Sequence, residues 1–132
     1  MSRPTAVVVP GWAAPRGYAN GMIGGGQVLF VAGQIGWDGQ GVFHTDDLIA
    51  QFDQALANVI AVVEAAGGTV EALASLTIYV TEIDSYRART KELGPIWRAR
   101  MGRHYPAMAL VAVPALVEPR AKVEIQGYAL LP

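Results

Sequence analysis

The sequence contains no cysteine. Its absence excludes disulfide staples, thiolate metal sites and cysteine nucleophiles. Charge is also scarce: Asp, Glu, Lys and Arg make up 16% of residues, against roughly a quarter in an ordinary soluble domain. What charge there is nearly cancels, to a net −1, so the chain lacks the basic surplus that carries nucleic-acid binding. No uninterrupted apolar run reaches the roughly 18 residues that cross a bilayer. No basic stretch followed by an apolar one opens the chain, as it would in a signal peptide. The expectation is a protein without a nucleic-acid or membrane partner, located in the cytoplasm.

What is present is mostly apolar. Hydrophobic residues make up 52% of the 132, and this length suits a single domain over 1–132. A chain so short and so apolar is expected to bury part of its surface against partners. Six of its basic residues, Arg87, Arg89, Lys91, Arg98, Arg100 and Arg103, fall in one stretch and read as a solvated helix face.

Punctuation by glycine and proline divides the chain. Residues 1–17 carry three prolines and read as irregular, with a short strand at 6–10. Gly24, Gly25 and Gly26 separate two extended pieces, 18–23 and the β-rich VLFVAGQI at 28–35, which predicts a hairpin. Gly33 inside the second piece predicts a bulge or a close backbone approach. Thr45 or Asp46 is placed to cap a long helix whose Leu48, Phe52, Leu56, Val59, Ile60 and Val63 share one face, and Gly67–Gly68 ends it. LASLTIYVT at 73–81 reads as a buried central strand. Asp84 or Ser85 starts a second helix running to about Met101, with Tyr86, Leu93, Ile96, Trp97 and Met101 toward the core and a break predicted at Pro95. Strands at 107–113 and 121–130 complete the order β-β-α-β-α-β-β. That order fits an α+β fold, a mixed sheet with two helices on one face. The other sheet face is left for neighbouring subunits.

Several segments together resemble one family. These are Tyr18, VAGQIGWDGQG at 31–41, QALANVIAVVEAAGG at 54–68, IYVTEIDSY at 78–86, YPAMALVAV at 105–113 and VEIQGYAL at 123–130. They look like the RidA/YjgF family over nearly the whole chain. The resemblance implies a chorismate-mutase-like fold assembled as a homotrimer, with small-molecule clefts between subunits. It implies hydrolysis of reactive enamines and imines, such as 2-aminoacrylate, to a keto acid and ammonia, without metal or organic cofactor. The family has also carried labels as a ribonuclease and a translation inhibitor.

The family's site transfers incompletely. Its carboxylate-binding arginine lies in a Pro-Ala-Arg segment that reads Pro106-Ala107-Met108 here, so a thioether stands where a guanidinium would grip a carboxylate. Its Ser-Gly-Gln reads Ala32-Gly33-Gln34, without the hydroxyl, and Thr90 aligns with an asparagine. Tyr18 matches the site tyrosine, and Glu124 matches the glutamate that positions a water. Imine hydrolysis needs a held water and one group to shuttle protons, and Glu124 with Tyr18 would supply them. Arg16, Arg103 and His104 are the candidates to replace the missing cation. Trp37 and Asp38 read as a cleft rim or a surface turn, and His44 has no supporting context. The leading expectation is an imine or enamine hydrolase with an altered substrate. The alternatives are a non-catalytic binding or regulatory trimer and, behind both, RNA cleavage.

Overall fold

The computed structural model describes residues 3–132. Its main sheet has four strands in the order β3-β6-β4-β5: β3 (Gln27–Ile35), β4 (Leu73–Val80), β5 (Ala107–Ala112) and β6 (Val123–Leu131). β6 runs antiparallel to both β3 and β4, and β4 runs parallel to β5. The sheet is therefore mixed, and 73–80 lies inside it as predicted. Two further short strands, β1 (Thr5–Ala6) and β2 (Met22–Ile23), pair with each other.

Helix α1 (Leu48–Ala65) lies across β3 and β6, and α2 (Ile83–Ala88) and α3 (Thr90–Met101) pack against α1. The core is one cluster between this helical layer and the sheet. Leu56, Val59 and Val63 of α1 meet Leu76 and Val80 of β4 and Val123 and Ile125 of β6. The alternation along β6 shows how the sheet is divided. Val123, Ile125, Gly127, Ala129 and Leu131 are buried under the helices, while Glu124, Gln126, Tyr128 and Leu130 point the other way. No helix of the described chain covers that other face, and Phe30 is 72% exposed. α1 is long and apolar enough by composition to cross a bilayer, but its apolar face is filled by this core.

Five local expectations are corrected. The 18–23 piece does not form a hairpin with β3. Gly26, at φ +106, turns the chain out of the sheet, and Met22–Ile23 pairs with Thr5–Ala6, earlier than the strand expected at 6–10. The cap of α1 is Asp47, whose carboxylate accepts from Ala50 N–H, while Thr45 Oγ1 accepts from Asp47 N–H one step outside the helix. Glu82 precedes α2 with no side-chain cap at all. The second helix divides at Arg89, not at Pro95, which stays inside α3. The residue before this proline is Gly94, which has no Cβ to collide with the pyrrolidine ring, so the helix survives there. At Arg89 the guanidinium instead clamps Asp47 of the α1 cap and Glu92 of α3.

Candidate functional site

One chain distributes the candidate residues over three places. The first is the uncovered sheet face. Glu124 sits on β6 opposite Tyr79 of β4 and Ile35 of β3, and it is the only Asp, Glu, Lys or Arg in the four strands of the main sheet. The β3–β6 register slips between Val31 and Gln34, so a bulge does occur around Gly33. The close approach occurs there too. A Cβ on Gly33 would fall 2.7 Å from Glu124 Cδ and 3.0 Å from its Cγ, with Oε2 closer still. The carboxylate therefore lies flat over the glycine. No other described side chain hydrogen-bonds to it or forms an ion pair with it. Ala32 is exposed beside Gly33, and its carbonyl accepts from Gln34 Nε2 at 3.1 Å.

The second place is a cavity of about 530 Å3 under the irregular N-terminal segment. Trp12, Tyr18, Asn20, Met22, Arg103 and His104 are among its lining residues. Tyr18 is held by its neighbour Ala19, which bridges to Ala107 and donates its N–H to Pro106 O. His104 is tied down: its imidazole Nε2 lies 2.7 Å from Leu73 O and donates to that carbonyl.

The third place is a cavity of about 380 Å3 on the helical side of β5. Arg16, Gly17, Thr90, Trp97, Tyr105 and Met108 contribute to its walls. Met108 faces the same side as the core, packed against it. Trp97 stacks on Tyr105 with ring centroids 5.8 Å apart, and its indole N–H donates to His104 O. Burial raises the Tyr86 phenol above its ordinary range, so it stays protonated at the wall of this cavity. A shallow groove over Ser75, Thr77 and Ala109 joins Tyr18 to Met108.

Tyr18 and Met108 therefore share a neighbourhood, and Glu124 does not belong to it. Glu124 lies four residues along β6 from the row that contains Tyr128, Ser75 and Ala107. That offset is roughly 13 Å along the strand, with further strand spacings of about 4.8 Å each to reach Ala19. The sheet itself stands between Glu124 and Met108. One chain thus keeps two groups apart: a carboxylate over a glycine bulge, and a phenol that lines the N-terminal cavity together with Arg103.

The remaining polar groups work structurally. Gln51 is fully buried; its Nε2 donates to Thr45 O and Arg120 O, and its Oε1 accepts from Lys122 N–H. Asn58 Nδ2 donates to Ile35 O and Trp37 O, fixing the end of β3 on α1. Asp38 accepts from Gln40 and Val42 N–H and pairs with His44, and the His44 hydrogen bond does most to hold its carboxyl below the usual range. Asp38 therefore belongs to a surface turn, and His44 has a partner that the sequence did not reveal. Among the described residues, no three or more His, Asp or Glu side chains gather to hold a metal ion. The aromatic wall made by Tyr86, Trp97 and Tyr105 escaped the sequence reading as a site feature, because helical spacing marks such residues only as core.

The chain matches the family model described as endoribonuclease L-PSP over residues 12–131. A RutC family protein, y4sK of Sinorhizobium fredii, is 30% identical over 103 residues, covering 77% of this chain and 78% of that protein. Among solved structures, YyfB of the conserved Rid protein family from Yersinia pestis superposes with a TM-score of 0.84 at 26% identity, covering 98% of this chain and 100% of that one. The YjgF gene product of Escherichia coli gives 0.71 at 26% identity, over 96% and 94%. TdcF of E. coli with bound serine gives 0.70 at 26% identity, over 97% and 99%. With the mixed sheet, the one-sided helical layer and a sequence match along nearly its whole length, the chain belongs to the RidA/YjgF family, whose members share this chorismate-mutase-like fold.

Proposed function

We propose that this protein is a small-molecule hydrolase of the enamine and imine deaminase type, acting in the cytoplasm as a homotrimer whose subunits bring these two groups together. The observation that carries the reading is Glu124. A lone carboxylate in an otherwise uncharged sheet, over a glycine and without a partner among the described residues, is poorly explained as a structural ion pair. It is well suited to hold a water at a cleft. The uncovered apolar face around it, with Val28, Phe30 and Val111 exposed, is suited to association. A neighbouring subunit would bring its Tyr18 to this carboxylate. The relative TdcF, solved with serine bound, supports small-molecule recognition by the same fold.

In this reading water held by Glu124 attacks the carbon of an N-protonated imine and gives up a proton to the carboxylate. Glu124 passes that proton to the amine nitrogen of the carbinolamine. As the C–N bond breaks and ammonia leaves, the hydroxyl becomes the carbonyl and returns its proton to Glu124. Tyr18 orients the substrate by its phenol. Imines generated in the assay by an amino-acid oxidase should release ammonia faster than in buffer, and Glu124→Gln should lower that acceleration by about 10²- to 10⁴-fold. Mixing Glu124→Gln with Tyr18→Ala subunits should restore about a quarter of the wild-type rate if one interface draws each group from a different subunit. No acceleration with any imine, including carboxylate-free ones, or a monomer in sedimentation, would overturn the proposal.

Met108 and Ala32, in place of the arginine and serine, favour a second reading: a binding or regulatory trimer without turnover. A Glu124→Ala protein with undiminished ligand binding and undiminished cellular effect would select it. RNA cleavage ranks behind both. Arg89, Arg100, Arg120 and Lys122 are each engaged by a carboxylate, and the chain's net charge of −1 gives no basic surplus for a phosphate backbone.

A further inference from the structure

The sequence offered three cations to replace the guanidinium missing at Met108, and the three are not equivalent in space. Arg103 and His104 line the N-terminal cavity, and His104 has spent its Nε2 on Leu73 O. Arg16 alone lines the cavity that also holds Met108, and it is the only charged side chain there. It forms no ion pair with any described residue.

The rest of this cavity carries no charge and is mainly aromatic and aliphatic, with Thr90 its one aliphatic hydroxyl side chain. Phe52, Tyr86, Leu93, Trp97 and Met108 surround it, and the Trp97 indole N–H is already satisfied by His104 O. What remains for a ligand is aromatic surface with the phenols of Tyr86 and Tyr105, the Thr90 hydroxyl, a polarisable thioether, and one guanidinium. Its volume of about 380 Å3 lies within the range of roughly 300–1,000 Å3 typical of small-ligand sites. An unpaired guanidinium is complemented by a planar anion held bidentately. Aromatic rings and a methionine are complemented by an aromatic or bulky aliphatic group. A very small acid would leave the cavity unfilled and its walls wet.

We propose that this cavity is the specificity pocket of the site and that it selects carboxylates bearing a large, preferably aromatic, substituent, with the carboxylate held by Arg16 and the substituent against Met108 and Trp97. The assignment deepens the hydrolase reading by naming its substrate class, an aryl-bearing imino acid, but its test does not require turnover. Calorimetric titration with three stable probes separates the contributions: 3-phenylpropionate, pyruvate and the uncharged 3-phenylpropan-1-ol. The acid with the ring should bind at least tenfold more tightly than either of the others. Arg16→Gln should remove the preference for 3-phenylpropionate over the alcohol while leaving the alcohol's affinity in place, which also shows that the variant is folded. Leu93→Trp, which fills the cavity from α3, should weaken both aryl probes and leave pyruvate unchanged.

Equal binding of pyruvate and 3-phenylpropionate would overturn the proposal. So would loss of the acid preference in Arg103→Gln and not in Arg16→Gln. A protein that discriminates among these probes yet accelerates no imine would sink the hydrolase reading and leave the pocket assignment standing. One that hydrolyses imines with no regard to substituent size or Arg16 would do the reverse.

Discussion

Replacing Gly33 with alanine tests the relation between the β3 bulge and the carboxylate above it. The added Cβ would meet Glu124 Cδ at 2.7 Å and Cγ at 3.0 Å, well inside ordinary carbon contact at about 3.5 Å. The methyl group is held by backbone, and the contact is with the far end of a flexible glutamate side chain, so the glutamate gives way. Its carboxylate must retreat by roughly 1 Å or more. Displacement on that scale can cost about 10²-fold in rate when the group positions a reactant. Stability should move in the other direction. Gly33 has no positive φ, so alanine fits its backbone and should stabilise by about 0.4–1 kcal/mol through the unfolded chain. The paired measurements are ammonia release per folded subunit and urea unfolding, on Gly33→Ala, Glu124→Gln and the double variant. The expectation is a rate lowered about 100-fold with undiminished stability, and no further loss when Gly33→Ala is added to Glu124→Gln. If Gly33→Ala kept full activity, or multiplied the loss from Glu124→Gln independently, the glycine would not be the seat of the carboxylate.

Two further outcomes are expected from the structural polar groups. Gln51→Leu removes the partners of Thr45 O, Arg120 O and Lys122 N–H in a site without solvent access, and should cost about 2–4 kcal/mol in chemical denaturation. Asp47→Asn keeps an N-cap of equal quality but loses the ionic bond to Arg89. That hydrogen bond is the chief reason the Asp47 carboxyl sits below its usual range, with Ala50 N–H second. A depressed folded value means that the stabilisation is complete above the ordinary carboxylate range near pH 4 and fades as pH falls through the folded value. Wild type should therefore exceed Asp47→Asn in melting temperature at pH 7, converge with it in strong acid, and lose part of its advantage in high salt, because the pair is exposed.

Much of this architecture was written in local pattern. Leu48, Phe52, Leu56, Val59 and Val63 repeat at helical spacing because one face of α1 meets the core, and LASLTIYV is dense in β-formers because β4 is flanked on both sides by other strands. Gly33 was legible as a bulge since little else tolerates so close a neighbour. The partner of Met22–Ile23 was not legible, because a glycine turn permits a hairpin without requiring one. The break at Arg89 was hidden for a different reason: it accompanies an ion pair to Asp47, 42 residues away, and no local spacing encodes that. The site residues were found by resemblance, but not their separation. Tyr18, Met108 and Glu124 stand in the sequence without any sign that a sheet divides them.

Charge in this molecule is sorted away from its main sheet. Among the described residues the ion pairs lie in the helices and loops, and the four strands carry the single carboxylate of Glu124. Such a body has a charged, hydrated back and a front that carries one charge among apolar and neutral polar side chains. Kosmotropic salts, which strengthen apolar burial, should act mainly on the front. On a phenyl-bearing resin in ammonium sulfate the isolated protomer would adsorb in one orientation, sheet side down, with its helices facing the eluent.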